Sequence, residues 1–115
     1  MKIILSLREM DQLREALRRH ECFNVKEDRN RDSKIGWNLE DLQRYWTGLE
    51  FKSQYIDSIK AGYMMFDGYV EPRTQGWLKL TEKGAKIVLA WHNMGYKCSG
   101  NGYELNEILP MIIEI

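Results

Sequence analysis

The residues of this 115-residue chain with the widest chemical repertoire are two histidines and two cysteines, in the stretch His20-Glu21-Cys22 and as His92 with Cys98. Imidazole and thiolate are the ligands of structural zinc, whose cysteines are usually spaced two to four residues apart. Neither pair has that interval, so neither a metal nor any other cofactor is expected. Nucleophilic catalysis requires a Cys or Ser activated by a neighbouring base, and no local motif supplies one. Gly100-Asn101-Gly102 is a turn signal without the lysine and helix start of a phosphate-binding loop. The expectation is a protein that is not an enzyme. His92 is expected on a helix face near a C-terminus, where the helix dipole favours the charged imidazole.

Composition narrows the partners. Seventeen Lys and Arg residues balance seventeen Asp and Glu, whereas a sequence-independent grip on phosphates needs a basic excess. Acidic and basic residues interleave from Arg8 to Lys34, as on a solvated face. Hydrophobic residues make up 43% of the chain and there are two prolines, which suits one folded domain with one core. The apolar run Ile3-Ile4-Leu5 is too short for an export signal, and no stretch reaches membrane-spanning length. A cytoplasmic location, free thiols and no membrane association are therefore expected.

Four tryptophans and six tyrosines invite comparison with the stacking platforms of single-strand binders. Helix packing accounts for Trp37, Trp46 and Trp91. Tyr69 and Trp77 are left as a candidate exposed pair, which suits a protein-binding surface.

These residues need elements to hold them. Ser6 and Glu9 have capping-box spacing, with Leu5 placed to staple against Met10. Leu7, Met10, Leu13 and Leu17 then form one stripe, predicting a helix over 7–20. Residues 24–35 are polar and without period, hence a loop. Asn38 caps a second helix from Leu39 to about Trp46, with Asp41 at its third position and Trp37 placed to staple against Leu42. From Phe51 a new set, Tyr55, Ile59, Tyr63 and Phe66, predicts a helix to Phe66 stopped by Gly68. Gly62 is an alternative stop that leaves Tyr63–Phe66 as a strand turning at Asp67-Gly68.

A hairpin follows, in which Tyr69–Glu71 and Trp77–Leu80 flank Pro72–Gly76. Alternation puts Val70, Leu78 and Leu80 inward and Tyr69, Trp77 and Lys79 outward. Thr81 caps a helix over 82–95 with Ala85, Val88, Leu89 and Trp91 on its apolar face. The tail, 96–115, holds a possible hairpin at Ser99–Gly102. Its Ile112, Ile113 and Ile115, with Ile3 and Leu5, are more apolar than packing of the last helix needs. That excess predicts a self-association surface and a two-fold homodimer.

The stretch Trp77-Leu78-Lys79-Leu80-Thr81-Glu82-Lys83-Gly84 resembles the strand-into-helix signature of winged-helix regulators of the MarR and PadR type. Asp67-Gly68-Tyr69-Val70-Glu71 looks like the exit of their recognition helix into the wing. The match covers about residues 51 to 86; the second helix carries Arg44-Tyr45-Trp46 where such regulators have a small residue. The resemblance implies an α+β, mainly α winged helix in one domain over 1–115. Its parts would be an N-terminal helix, a helix-turn-helix at 38–66, a wing at 69–81 and a C-terminal helix. It also implies a transcriptional regulator with duplex DNA as partner.

Physically, a helix enters the major groove when its outer face offers donors and acceptors to base edges. On the helix from Phe51 those positions are Lys52, Ser53, Gln54, Asp57, Ser58 and Lys60. Arg73, Thr74 and Gln75 at the hairpin tip, with Lys79 on its outer face, complete the expected DNA-binding set. The competing expectation is a winged-helix module that binds another protein and no DNA, since one fold serves both tasks.

Overall fold

The computed structural model describes residues 1–27, 36–45, 49–70, 75–95 and 112–115, with side chains for all of these except 21–27, 45 and 70. The fold is α+β. Its elements run β1 (Lys2–Ile4), α1 (Leu7–Glu27), α2 (Leu39–Tyr45), β2 (Leu49–Phe51), a 3-10 turn (Lys52–Tyr55), α3 (Ile56–Lys60), β3 (Met64–Val70), β4 (Gln75–Leu80), α4 (Glu82–Asn93) and β5 (Ile112–Glu114).

The first helix starts at the expected capping box. Ser6 Oγ accepts from the Glu9 amide and Glu9 Oε2 accepts from the Ser6 amide, both at 3.1 Å. Leu5, Met10, Leu13, Ala16, Leu17 and His20 are buried along one side, while Leu7 is exposed. The helix runs seven residues past the expected end at His20. The extension contains good helix formers such as Glu21, Lys26 and Glu27, which propagate a helix once it is nucleated even where no apolar period marks it. Asn38 caps α2 as expected, its Oδ1 accepting from the Asp41 amide at 2.9 Å. Asp41 in turn accepts from the Gly36 amide at 2.7 Å.

The long helix from Phe51 to Phe66 is not formed. Leu49–Phe51 is a strand, a 3-10 turn leads into the five residues of α3, and Gly62 at φ +82° ends that helix. The reason is tertiary: Leu49–Phe51 and Met64–Val70 pair with opposite edges of β4, which overrides a helical period that the apolar set itself satisfies. The alternative stop at Gly62 describes the helix end correctly, but the chain does not turn at Asp67-Gly68. Asp67-Gly68-Tyr69-Val70 lies in β3 and is not a helix exit.

β3 and β4 form an antiparallel hairpin, as expected, but its first strand begins at Met64, five residues before the expected Tyr69, and β2 adds to the other edge of β4, giving a three-stranded sheet in the order β2-β4-β3. Leu78 and Leu80 face inward as expected. The Val70 side chain, residues 71–74, Trp46 and the Ser99–Gly102 turn lie outside the described residues and side chains.

Thr81 caps α4, with Oγ1 accepting from the Gly84 amide at 3.2 Å and donating to the Gly62 carbonyl. A Cβ at Gly84 would stand 2.0 Å from the Tyr63 carbonyl oxygen. The Thr-Glu-Lys-Gly stretch thus serves a close approach between the first turn of α4 and the chain entering β3. Trp91, Ile87, Leu42 and Leu13 are wholly buried between the helices and the sheet, each contributing about 1.5–3 kcal/mol over leaving the side chain in water.

The chain ends pair with each other. β1 and β5 form a separate antiparallel ladder in which Ile3 lies opposite Ile113, and the Met1 ammonium donates to the Ile115 carbonyl at 2.8 Å. Ile3, Leu5 and Ile113 are buried within the chain itself. Much of the apolar excess at the ends is therefore used internally, and Ile4 and Ile112 remain exposed on the ladder's other face. Among the described residues no helix is long and apolar enough to cross a membrane.

Candidate interaction surfaces

The outer face of the three-stranded sheet is set by β4, its middle strand, where Gln75, Trp77 and Lys79 alternate with the inward Gly76, Leu78 and Leu80. Residues directly opposite one another in a ladder share a face. Leu49 and Asp67 flank Trp77, Phe51 lies opposite Gln75, and Met65 lies opposite Lys79. Trp77 is 47% exposed, and Leu49, Phe51 and Met65 are about equally so. Four large apolar side chains thus stand together on a face that no described element covers. Among the described residues the charges in this row are the Lys79 ammonium and the Asp67 carboxylate, 3.5 Å apart and of opposite sign.

Tyr69 is not part of this face. Between the pairs Asp67↔Trp77 and Val70↔Gln75 the register shifts, with Gly68 at φ +59°. Such a bulge moves the following side chain to the opposite face. The Tyr69 ring stacks on Phe66 at 5.7 Å, and a Cβ at Gly76 would meet both rings, at 3.3 and 2.9 Å. Gly68 instead faces Trp77, whose Cδ1 would be 2.7 Å from an added Cβ. The expected exposed pair of Tyr69 and Trp77 is therefore divided between the two faces. Alternation alone misplaces Tyr69 because the bulge adds a residue to the strand.

The expected DNA-contacting residues are only partly together. Lys52, Ser53 and Gln54 fall in the 3-10 turn and not in the first turn of a helix. Ser53 and Gln54 are exposed, while Lys52 is half-buried with its ammonium 5.9 Å from the Tyr69 ring centre. Lys60 is exposed at the end of α3. Asp57 and Ser58 turn inward. Asp57 accepts from Gln12 Nε2 at 3.0 Å, the Ser58 amide donates to Gln12 Oε1 at 2.8 Å, and Ser58 is wholly buried. Gln12 on α1 thus engages the Asp57 carboxylate and the Ser58 backbone amide, and the Ser58 hydroxyl is buried, so neither side chain is presented to a base. Gln75 and Lys79 lie on the sheet, and Arg73 and Thr74 lie outside the described residues.

A third cluster joins residues far apart in the chain. His20 of α1 is wholly buried, with Nε2 3.0 Å from the Gly36 carbonyl oxygen. Its ring meets the edge of Trp37 at 4.4 Å, and Trp37 stacks on His92 of α4 at 3.8 Å with the rings 4° from parallel. Burial pulls the His20 pKa below the usual histidine value, against the Gly36 carbonyl and Asp41, which favour the cation, and with His92, which opposes it. His92 does lie near the C-terminus of α4, as expected. The two histidines are the pair first singled out for metal chemistry, yet Trp37 stands between their rings. Among the described residues no group of three or more His, Cys, Asp or Glu is placed to hold a metal. The Cys22 side chain and Cys98 lie outside the described side chains and residues.

Two features of these surfaces escaped sequence reasoning. The alternation Leu49-Glu50-Phe51 is a strand signal too short to stand out beside a Gly. Nothing local connects Trp37 to either histidine. Comparison with known proteins yields no match to any family model, to any curated protein or to any solved structure.

Proposed function

We propose that this chain is a binding module of winged-helix type, without catalytic chemistry of its own, that engages an apolar and uncharged protein surface through the outer face of the β2-β4-β3 sheet. The observation that carries this reading is Trp77, about half exposed on the middle strand and ringed by Leu49, Phe51 and Met65. A large aromatic at the centre of an apolar patch is the usual anchor of a protein interface. Lys79 is matched by Asp67 on the same face, which leaves no unmatched charge in this row among the described residues and suits a partner that is itself uncharged at its centre. The winged-helix assignment is supported by the order of three helices, a hairpin and a fourth helix, and by β2 joined to the second strand of the hairpin.

A photo-crosslinking residue at position 65, exposed on the same face with Trp77 left in place, tests the reading. The expected result is adduct formation with one protein, reproduced with that protein purified and weakened at least tenfold by Leu49→Ser. Crosslinking that Leu49→Ser leaves unchanged overturns it.

Duplex DNA is the second reading, favoured by the exposure of Ser53, Gln54 and Lys60 along one short stretch. If it holds, pooled duplexes bind at low salt and a preferred site loses about 1–3 kcal/mol with Gln54→Ala. Arg73→Ala then weakens all sequences alike and lowers the salt slope by about one. Against it stand the short α3, the Gln12 contacts and the zero net charge.

A further inference from the structure

His20 combines three properties that rarely coincide. It is wholly buried, its Nε2 faces a carbonyl oxygen, and its Nδ1 is buried with no hydrogen-bond partner among the described residues. A carbonyl only accepts, so Nε2 carries the proton and Nδ1 presents a bare lone pair. Protonation there creates an N–H donor and a positive charge at a buried atom with no acceptor beside it among the described residues, a costly arrangement in an apolar interior.

The surroundings decide where that cost is relieved. From α4, His92 faces the site through Trp37, and its charge opposes the His20 cation. From α2, the Asp41 carboxylate opposes this by favouring the His20 cation, but its oxygen is engaged by the Gly36 amide and by Asn38 Nδ2. The segment least able to resist is Gly36–Asn38. It is held to α1 by the His20–Gly36 contact and to α4 by the Trp37 stack. The anchors of α2 deeper in the core, Leu42 above all, do not involve His20.

We infer that His20, Trp37 and His92 form a proton-operated latch, closed when the His20 imidazole is neutral and opened by its protonation, which frees Trp37 and the entry to α2 while the core stays folded. The direction follows from linkage. A histidine whose folded pKa lies below its unfolded value takes up its proton more readily in the open state. The latch is therefore fully closed above the ordinary histidine pKa of about 6.5 and weakens as pH falls below it. This proposal does not depend on which partner the sheet face takes.

The test uses the whole chain labelled with fluorotryptophan, the Trp37 resonance being assigned by Trp37→Phe. Between about pH 7 and 5, the Trp37 signal is expected to shift or broaden with His20 protonation, while the Trp77 and Trp91 signals stay in place. His92→Gln removes the charge that disfavours the His20 cation in the closed state and is expected to move the opening midpoint to lower pH. His20→Gln is expected to abolish the transition, and the His92 variant keeps the proposal testable if His20→Gln does not fold. A Trp37 signal that is flat over this range overturns the latch. So does one that changes only together with Trp91, which would report loss of the whole fold.

Discussion

The two faces of the three-stranded sheet are built from the same kinds of side chain and meet opposite fates. Met64, Leu78 and Leu80 point inward and are almost wholly buried, while Met65, Trp77 and Leu49 point outward and stay about half exposed. Strand alternation assigns each residue to a face, but only packed helices turn a face into a core. Here α1, α2 and α4 lie on one side, and nothing in the described chain lies on the other. The contrast shows that apolar character on a strand is not by itself a core signal, because what matters is whether the chain has an element left to cover it.

Substitutions that remove matched side chains from the two faces measure this contrast. Leu78→Ala on the inner face is expected to destabilise the fold by about 2–5 kcal/mol, since it opens a cavity in a packed interior; chemical denaturation reads it. Trp77→Ser, one position along and on the other face, is expected to change stability by under about 1 kcal/mol. Its cost appears instead in partner affinity, at about 2 kcal/mol or more, a loss of roughly thirtyfold. If Trp77→Ser unfolds the chain as readily as Leu78→Ala, the outer face is structural and the contrast fails.

Two glycines sharpen the comparison. Gly84→Ala pushes a methyl group into the Tyr63 carbonyl, and the required shift of α4 is expected to cost about 1–3 kcal/mol, seen as a lower thermal midpoint. Gly68→Ala combines a positive φ with contact on Trp77 and is expected to cost about 1 kcal/mol. It should also disturb partner binding, because it displaces the indole, whereas Gly84→Ala should leave binding by the folded fraction intact. Calorimetry on the two variants separates these outcomes.

Much of the fold was legible where one physical rule acts locally. The Ser6–Glu9 box, the Asn38 cap, the Thr81 cap and the inward Leu78 and Leu80 each follow from a side chain and its near neighbours. The failures share a cause. β2 exists because Leu49–Phe51 finds β4 some twenty-five residues later, and Tyr69 changes face because the ladder with β4 absorbs an extra residue at Gly68. Gln12 meets Ser58 across 46 positions, and His20 meets His92 only through Trp37. A reading confined to windows of a turn or two registers these residues as polar or apolar and no more. The candidate surface suffered most. Asp57 and Ser58 looked available on a long helix, and both are consumed once that helix proves to be a strand, a turn and five residues.

The ladder that joins the chain ends has a consequence for how the protein is made. Lys2–Ile4 leaves the ribosome before the segment it pairs with, Ile112–Glu114, which is synthesised more than a hundred residues later. At ordinary translation rates the interval is on the order of ten seconds. For all of that time Ile3 and Leu5 lack their final surroundings, and Ile4 sits on a strand whose edges are open to any other nascent segment. The emerging polypeptide therefore passes through a window in which the β1 segment is apolar and without its partner strand. A holding chaperone acting on Lys2–Leu5 would shape the yield of native protein without altering the stability of the finished fold.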